Sequence, residues 1–470
     1  MERPHFIGIG GAGMSGIAKI LTRRGALVAG SDSRDSETAA ALRDLGALVH
    51  VGHDAAHLSE AASCVVVSSA IREDNPELSE ATRRGIPVVH RSDALAALMT
   101  GRRTLAVAGT HGKTTTTSML AVSLTALGLD PSYAIGGDLD APGSNAEHGE
   151  GELFVAEADE SDRSFHRYRP EVAIILNVEL DHHANYASMD EIYDSFETFA
   201  DRVVPGGTLV VNADQEGARK LTARLAGREG LRLVTYGEAE DATVRVLRVA
   251  PAGLTSTVTV LLDGPEHGRE HGPEHGRELT FRVSVPGRHY AHNAVAALAA
   301  GVAAGVPAEE LARALGDYTG VRRRLQPKGE AGGVQVVDSY AHHPTEMSAD
   351  LEAIRGAAQG DGRVLVVFQP HLFSRTRELA HEMGGSLALA DASLVLDIYP
   401  AREDPIPGVT SRLIIDAALA AGADARAEHD KAAVPDAVAG MARPGDLVLT
   451  MGAGDVTDLG PRILARLAER

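Results

Sequence analysis

The sequence predicts an α/β protein built from three domains. Its 470 residues are about three times the length of an ordinary domain. Short apolar runs alternate with alanine-rich stretches along most of the chain, a pattern typical of parallel strands joined by helices. Where this pattern restarts we place domain boundaries, and we expect the domains to span residues 1–100, 101–324 and 325–470.

The first domain should contain a parallel sheet covered by helices. Buried strands are predicted at His5–Ile9, Ala26–Gly30 and Cys64–Ser68, and helices at Ser15–Arg24 and Ser36–Leu45. Strands and helices alternate here, and parallel strands need such helical connections.

The second and third domains repeat the alternation. Strands are predicted at Arg103–Gly109, Leu153–Glu157 and Val172–Asn177, and later at Gly333–Asp338, Arg363–Phe368, Leu394–Asp397 and Asp446–Thr450. Between these groups, Val244–Val249 and Leu254–Leu262 alternate like antiparallel strands, and an alanine-rich helix is predicted to begin at His292. We therefore expect a mostly parallel central sheet with a small antiparallel sheet attached.

Composition excludes several classes of function. Acidic side chains outnumber basic ones by 65 to 45, and the net charge of −20 disfavours nucleic acid and anionic membranes as partners. The single cysteine, Cys64, rules out an internal disulfide, and no signal peptide or apolar membrane span is evident. We expect a cytoplasmic protein. The duplicated sequence at 264–278 is rich in glycine, proline and histidine, and we interpret it as an expanded hairpin loop rather than a metal site.

A glycine-rich turn, Gly8-Ile-Gly-Gly-Ala-Gly13, follows the first strand and opens a helix. Glycines allow a diphosphate to approach backbone N–H groups at the helix N-terminus. Asp32 ends the next strand, where an acidic residue could hold a ribose hydroxyl. A nicotinamide dehydrogenase, another nucleotide-diphosphate site and a purely structural turn all fit this pattern.

A second glycine turn is more specific. Gly109-Thr-His-Gly-Lys113-Thr114-Thr115 joins a strand to a helix, so backbone amides and Lys113 could hold the ATP phosphates while Thr114 binds Mg²⁺. Val107 stands where the strict phosphate-loop pattern has glycine. The chain therefore carries two phosphate loops, which we interpret as an ATP site and a second nucleotide-like site.

Carboxylates and histidines follow the neighbouring strands. Glu157 ends one strand beside the second loop and is expected to bind Mg²⁺, and Asp181-His182 follows the next strand. Open α/β sheets bind ligands at this edge. In the third domain, Tyr340, His342 and Arg375 again follow strands and suit a small zwitterion.

Taken in order, these motifs resemble those of the Mur ligases. The resemblance runs almost end to end and includes Gly8–Gly16, Gly109–Thr117, Glu157–Asp162, Asn177–His182, His292-Asn293, Tyr340–Glu346, Phe368–His371 and Asp397–Glu403. It implies an N-terminal Rossmann-like domain for a UDP-linked substrate, a central P-loop ATPase domain and a C-terminal Rossmann-like domain for an amino acid.

The resemblance also implies roles for individual residues. The UDP-linked substrate would contact Gly10, Gly11, Ala12, Gly13, Met14, Ser15, Asp32, Ser68 and Ser69. ATP would contact Gly109, Thr110, His111, Gly112, Lys113, Thr114, Thr115, Asn293, Arg323 and Asp338. Catalysis would depend on Lys113, Glu157, His182 and Arg324. Two Mg²⁺ ions would be bound by Thr114, Glu157 and His182. The amino acid would be bound by Tyr340, His342 and Arg375. Which of Arg322–Arg324 reaches ATP stays open.

Within the family, the motifs favour the member that joins L-alanine to the lactyl carboxylate of UDP-N-acetylmuramate through an acyl phosphate, at the expense of ATP. Later-acting members use a carbamylated lysine near the second metal, and no lysine lies between Lys113 and Lys220. The chain is expected to be a monomer or a weak homodimer. Departures at Leu325, Ser339 and Leu372 leave details of substrate contact open, including the preference for alanine over glycine or serine.

Three alternatives remain. A tripeptide-recycling ligase would use the same UDP-linked substrate and shares many of the motifs. A nicotinamide dehydrogenase would explain Gly8–Gly13 but would leave Gly109–Thr114 unused. A non-catalytic nucleotide-binding module would leave the carboxylate, histidine and arginine clusters unexplained.

Overall fold

We describe the protein from a computed structural model that covers residues 1–139, 144–179, 186, 188–263, 276–358, 361–401 and 403–470, with residue 12 described by its backbone only. The chain divides into two compact units. One comprises Met1–Arg248, Thr259–Phe281 and His292–Tyr318, and the other comprises Val249–Val258, Arg282–Ala291 and Thr319–Arg470. No helix in the described ranges is both long and apolar enough to cross a membrane.

The first sheet has five parallel strands in the order β3-β2-β1-β4-β5. Its strands are β1 (Pro4–Ile7), β2 (Ala29–Asp32), β3 (Leu48–Val51), β4 (Cys64–Val67) and β5 (Val88–His90). Its helices are α1 (Ala12–Arg23), α2 (Glu37–Asp44), α3 (Pro76–Arg84) and α4 (Arg91–Met99), with a short 3₁₀ helix at Ala55–His57. The strand order reverses between β1 and β4, so the loop after β1 lies at the position where such sheets bind ligands.

The second sheet has ten strands in the order β15-β14-β13-β12-β11-β10-β6-β9-β7-β8. Its strands are β6 (Arg103–Ala108), β7 (Ser132–Ala134), β8 (Ala146–Glu147), β9 (Leu153–Glu157), β10 (Val172–Ile175), β11 (Thr208–Asn212), β12 (Arg232–Gly237), β13 (Val244–Ala252), β14 (Thr255–Leu262) and β15 (Arg277–Val283). The run from β13 to β7 is parallel, and β8 is antiparallel to β7. Strands β6, β9 and β10 form its centre, which is why their side chains are almost completely buried.

Helices accompany this sheet, and the second glycine turn directly precedes the first of them. They are α5 (Lys113–Ala126), α6 (Met189–Ala200), α7 (Glu216–Arg224), α8 (Arg288–Ala303) and α9 (Ala308–Leu315), with a 3₁₀ turn at Ser164–Arg167. Helix α5 begins at Lys113, directly after the second glycine turn.

The third sheet has six strands in the order β16-β17-β21-β18-β19-β20. Its strands are β16 (Gln326–Ala331), β17 (Val334–Ser339), β18 (Val364–Phe368), β19 (Ala392–Val395), β20 (Ala425–Ala427) and β21 (Leu447–Met451). Its helices are α10 (Pro344–Ala357), α11 (Phe373–Leu387), α12 (Arg412–Ala420), α13 (Val434–Met441) and α14 (Leu459–Ala468), with a 3₁₀ turn at Asp455–Asp458. Only β16 runs antiparallel to its neighbour, and the other pairings are parallel.

These sheets confirm the predicted α/β class. The main difference concerns α8, which was predicted to begin at His292 and instead begins at Arg288. Gly287 has φ = +107°, so the chain turns into the helix before Arg288, and His292 lies in the second turn. The second strand is also displaced along the chain, because it was predicted at Ala26–Gly30 and β2 instead spans Ala29–Asp32. Most of the duplicated segment predicted as a hairpin loop, residues 264–275, lies outside the described residues.

Candidate active site

The first glycine loop joins β1 to α1 and is fixed by the end of β2. The N–H groups of Gly8 and Ile9 donate to the Ser31 carbonyl oxygen at 2.8 and 2.9 Å. The N–H of Gly10 donates to Asp32 Oδ2 at 2.9 Å. The Asp32 carboxylate therefore holds the loop in shape, a contact that sequence reasoning did not anticipate when it assigned Asp32 to a ribose.

Helix α1 begins without a side-chain cap. Its N-cap residue is Gly11, so the first N–H groups of the helix are not satisfied by a capping side chain. A Cβ added to Gly10 would lie 3.0 Å from both Asp32 Oδ2 and Ser36 Oγ, so a larger residue there would have to displace these side chains slightly. Met14 and Ser15 lie in the first turn of α1, so the predicted residues of this loop lie together at one helix N-terminus, where anions are favoured.

Ser68 and Ser69 follow β4 at the same edge of the sheet. Ser69 Oγ lies 3.3 Å from His90 Nε2 and 3.5 Å from Asp162 Oδ2. Asp162 belongs to the acidic stretch after β9, so Ser69 links the first sheet to the carboxylates of the second. The Ser68 carbonyl accepts the Ile71 N–H at 3.1 Å and closes the turn.

The second glycine loop joins β6 to α5 and is braced by Asn177 at the end of β10. Asn177 Oδ1 accepts the His111 N–H at 2.7 Å, and its Nδ2 donates to the His111 carbonyl at 3.0 Å. Gly109 has φ = +139°, and a Cβ there would lie 3.0 Å from Leu176 Cβ. This paired contact with Asn177 fixes the loop, although no role for Asn177 was predicted.

Thr110 and Asn293 make further contacts at this loop. Thr110 Oγ1 accepts the Glu179 N–H at 3.0 Å. Gly112 has φ = +83°, and a Cβ added there would lie 2.9 Å from Asn293 Oδ1. The amide of Asn293 therefore packs against the loop that precedes α5, where it was predicted to contact ATP.

Lys113 lies at the start of α5 and faces carboxylates. Its Nζ donates to the Gly109 carbonyl at 2.7 Å and to Glu160 Oε1 at 2.9 Å. Although burial disfavours the charged form, the carboxylates of Glu160, Asp159 and Glu157 raise the pKa of Lys113 above its ordinary value. Lys113 therefore remains an ammonium at neutral pH and can neutralise phosphate charge.

Glu157 and Thr114 present oxygens to each other. Thr114 Oγ1 donates to Glu157 Oε1 at 3.1 Å, and the Gly136 N–H donates to Oε2 at 2.7 Å. Burial raises the pKa of Glu157 above its ordinary value, against the opposing effect of Lys113. The ionised carboxylate would thus be favoured by a nearby cation.

The donor set fits Mg²⁺, which prefers one or two carboxylates together with a hydroxyl, waters and phosphate oxygens. Glu157, Asp159 and Glu160 place three carboxylates near the single ammonium of Lys113. Within the described ranges, no cluster of three or more His, Cys, Asp or Glu side chains is arranged as a complete metal cage. His182, predicted to bind a second Mg²⁺, lies outside the described residues together with Asp181.

His292 does not face the loop in the way its neighbour Asn293 does. Its Nε2 lies 3.1 Å from Glu238 Oε1 and its Nδ1 lies 3.6 Å from Asp214 Oδ2. The Asp214 carboxylate also accepts the N–H groups of Glu238 and Ala239 at 2.8–2.9 Å. His292 therefore ties α8 to the loops that follow β11 and β12.

In the other unit, Asp338 is a buried anchor at the end of β17. It is 0% exposed and accepts hydrogen bonds from Thr450 Oγ1 at 2.6 Å and from Thr457 Oγ1 at 2.7 Å. Arg323 Nε lies 3.5 Å from Asp338 Oδ2, and its Nη2 donates to the Gly452 carbonyl at 2.5 Å. The predicted ATP contacts Arg323 and Asp338 thus belong to one buried network of this unit.

Around Tyr340 the predicted amino-acid residues come together. The guanidinium groups of Arg323 and Arg324 lie 4.9 and 5.4 Å from the Tyr340 ring centroid. The Tyr340 and His342 rings are 5.4 Å apart in an edge-to-face arrangement. Arg375, in the first turn of α11, has its Nη1 3.4 Å from His371 Nδ1. His371 contributes to this cluster without having been assigned a role.

His342 is neutral at physiological pH. Burial lowers the pKa of His342 to about 4 against the opposing charge of Glu346, and the charges of Arg375 and Arg324 also lower it. Its Nδ1 donates to the Tyr340 carbonyl at 3.0 Å, since a carbonyl can only accept. In the neutral ring, Nε2 is then a hydrogen-bond acceptor.

The three residues that depart from the expected motifs are Leu325, Ser339 and Leu372, and the structure shows the surroundings of each. Leu372 has φ = +72° and precedes α11, and its N–H donates to the Tyr399 carbonyl at 3.0 Å. Ser339 Oγ donates to Asp350 and accepts the Ala341 N–H at 3.0 Å. Leu325 is buried with φ = +47°. Nothing in the structure explains why leucine occupies position 372.

Arg91 is the main residue of the site that sequence reasoning missed. It begins α4, and its Nη2 donates to Asp159 Oδ2 at 3.1 Å and to Asp162 Oδ2 at 2.9 Å. These charges raise the pKa of Arg91 above its ordinary value, although burial opposes them. An arginine in an ordinary helix-start sequence gave no signal, because its partners lie about seventy residues away.

Three family models match successive parts of the chain. The model described as Mur ligase family, catalytic domain matches residues 3–103. The Mur ligase middle domain matches residues 107–301, and the model described as Mur ligase, glutamate ligase domain matches residues 323–454.

Individual relatives match along almost their whole length. The UDP-N-acetylmuramate–L-alanine ligase of Streptomyces coelicolor is 76% identical, with 100% of this chain and 98% of that protein covered. The protein of the same name from Saccharopolyspora erythraea is 50% identical, with 99% and 94% covered. The crystal structure of UDP-N-acetylmuramate-alanine ligase MurC from Thermotoga maritima is 27% identical, covers 99% of this chain and 98% of its own, and has a TM-score of 0.81.

These similarities confirm the predicted resemblance and the predicted three-domain α/β architecture. They extend over all three sheets rather than over one phosphate loop. The chain belongs to the Mur ligase family.

Proposed function

We propose that the chain is an ATP-dependent ligase that joins L-alanine to the lactyl carboxylate of UDP-N-acetylmuramate during synthesis of peptidoglycan precursors. The name shared by its full-length relatives supports the substrates. The observation that carries the proposal is the arrangement of Lys113, Thr114 and Glu157 at the start of α5. A loop with an ammonium and facing carboxylates suits phosphoryl transfer, whereas a nicotinamide dehydrogenase would have no use for it.

The chemical need is to activate a carboxylate. A carboxylate is a poor electrophile, and hydroxide is a poor leaving group. A lactyl carboxylate oxygen therefore attacks the γ-phosphorus of ATP, the bond from that phosphorus to the bridging oxygen breaks, and ADP leaves. The L-alanine amine, having lost its proton, attacks the acyl carbon of the acyl phosphate, and phosphate departs as the amide forms.

The chain's own residues position charge for the first step. Lys113 stays protonated beside Glu160 and would hold the β- and γ-phosphates, and the loop Gly109–Gly112 would wrap them with backbone N–H groups. Asn177 keeps this loop in shape. Thr114 and Glu157 would hold one Mg²⁺ and His182 a second, and Mg²⁺ would supply neutralisation of phosphate charge.

For the second step, the cluster around Tyr340 suits a small zwitterion. Arg375 would pair with the alanine carboxylate, and the acceptor Nε2 of neutral His342 would take a hydrogen bond from its nitrogen. Arg323 and Asp338 would contact ATP, and Arg324 would stabilise the charge that develops on the phosphoryl group. With these assignments, residues 1–100 would bind the UDP-linked substrate, residues 101–324 would bind ATP, and residues 325–470 would bind the amino acid.

The proposal is tested by phosphate release from ATP in the presence of UDP-N-acetylmuramate. L-Alanine should accelerate release strongly, glycine and serine less, and omission of UDP-N-acetylmuramate should stop it. A tripeptide that competes better than L-alanine would identify the tripeptide-recycling ligase instead. Oxidation of NADH without ATP use would contradict the proposal altogether.

A further inference from the structure

The inference concerns Arg91 and rests on the proposed function. Its guanidinium lies over Gly13, the last glycine of the first loop. A Cβ added to Gly13 would be 2.8 Å from Arg91 Nη1 and 3.6 Å from Cζ. The bare backbone of Gly13 therefore lets a cation reach the N-terminal turn of α1.

The other half of the guanidinium is fixed. Arg91 Nη2 donates to the carboxylates of both Asp159 and Asp162, and Asp162 also accepts a hydrogen bond from Ser69 Oγ at 3.5 Å. His90, next to Arg91, lies 3.3 Å from the same serine hydroxyl. These contacts hold the planar fork so that Nη1 points to the glycine loop while Nη2 points to the acidic stretch after β9.

The loop needs a positive charge that its own sequence lacks. Residues 8–15 contain no lysine or arginine, and Asp32 contributes a negative charge beside Gly10. Helix N-terminal N–H groups attract anions, but a diphosphate carries more charge than one helix end balances. By contrast, the second loop contains its own cation, Lys113.

We propose that Arg91 binds the diphosphate of UDP-N-acetylmuramate through Nη1 while Nη2 stays paired with Asp159 and Asp162. The same guanidinium then joins the anchored end of this substrate to the strand end that carries Glu157. Arginine suits this role because its donors form a rigid fork that can serve two sets of oxygens at once.

The test measures the affinity of the full chain for UDP-N-acetylmuramate, UDP and uridine by calorimetry. The affinity for the weakest ligand is measured by its competition with a tighter one. Arg91→Ala should weaken both diphosphate ligands about tenfold to hundredfold, as expected for loss of a charged hydrogen bond. Uridine and an ATP analogue should bind within twofold of the unchanged chain. Arg91→Lys, which keeps the charge but not the fork, should fall in between.

Arg83→Ala is the matched control, because Arg83 is an exposed arginine of α3 that forms an ion pair with Glu80. It should leave all three affinities unchanged. Equal loss of UDP and uridine binding in Arg91→Ala, or unchanged UDP binding in a folded Arg91→Ala, would overturn the inference. Failure of the unchanged chain to bind UDP-N-acetylmuramate would overturn the proposed function as well, so the two failures are distinguishable.

Discussion

The two glycine loops have the same construction but different charge. Each follows a central strand, each opens a helix whose N-cap is glycine, and each contains glycines with positive φ, such as Gly8 and Gly109. The second loop ends in Lys113, which faces Glu160 and lies near Glu157 and Asp159. The first loop has no basic residue of its own, and the carboxylate of Asp32 is used to hold its backbone.

This difference shows how one backbone motif serves two purposes. A loop that only holds a diphosphate needs donors and a cation that stays in place. A loop that transfers a phosphoryl group needs charge that can follow the moving group, and we propose that the ammonium of Lys113 and the neighbouring carboxylates, through Mg²⁺, would provide it. We expect substitutions at the second loop to abolish turnover, and substitutions at the first to weaken binding.

The largest effect is expected at Lys113. Lys113→Ala should lower phosphate release about a thousandfold, because the charge that balances the phosphates is lost. Binding of UDP-N-acetylmuramate, measured by calorimetry, should stay within threefold. Lys220→Ala is the control, since Lys220 is an exposed lysine paired with Glu216. Turnover that survives in Lys113→Ala would show that the loop is not the ATP site.

The next effect is expected at Glu157. Glu157→Gln keeps the shape of the side chain but removes its charge, so the Mg²⁺ concentration needed for half-maximal phosphate release should rise about tenfold to hundredfold. Glu216→Gln, at an exposed position, should not change it. An unchanged Mg²⁺ dependence in Glu157→Gln would remove Glu157 from the metal site.

A smaller effect is expected at the first loop. Asp32→Ala removes the acceptor of the Gly10 N–H and should weaken UDP-N-acetylmuramate binding about tenfold, while kcat at saturating substrate changes less than threefold. Asp35→Ala, at a surface ion pair with Arg43, is the control. A fall in kcat with unchanged affinity would contradict the assignment of this loop to binding alone.

The smallest effect on activity is expected at Glu77, beneath the first loop. Its buried carboxylate accepts hydrogen bonds from His5 at 2.7 Å and Ser31 at 2.8 Å. Burial raises the pKa of Glu77, but these hydrogen bonds outweigh burial and hold the pKa below its usual 4.5. The ionised carboxylate therefore stabilises the fold above pH 4.5, and this stabilisation is lost as the pH falls through the lowered pKa.

Glu77→Gln should therefore lower the free energy of unfolding by about 1–3 kcal/mol at pH 7, and by less at pH 3.5. Thermal unfolding of both chains across this pH range measures the difference. Phosphate release at saturating substrates and moderate temperature should change little. A destabilisation that is equally large at pH 3.5 would show that the carboxylate charge is not what stabilises this region.

The sequence predicted the features of the site that depend on residues adjacent in the chain. The two loops, Glu157 at the end of β9 and the cluster of Tyr340, His342 and Arg375 could all be located, because a strand followed by glycines or polar residues places them at one edge of a sheet. The family resemblance then ordered these motifs into one reaction.

Long-range contacts could not be predicted in the same way. Arg91 and Asn177 act on loops about seventy residues away in sequence, and nothing in their immediate neighbours marks them. The start of α8 was placed too late because Gly287, rather than a capping side chain, begins that turn. The low pKa of His342 depends on burial and on Arg375, which only the folded chain brings near.

We propose that the second loop transfers a phosphoryl group from ATP to the carboxylate of the substrate held by the first loop. The most direct test uses UDP-N-acetylmuramate with ¹⁸O at both oxygens of its lactyl carboxylate. We expect the phosphate released with L-alanine to contain one ¹⁸O atom per turnover, detected by mass spectrometry. Phosphate without label during amide formation would contradict it.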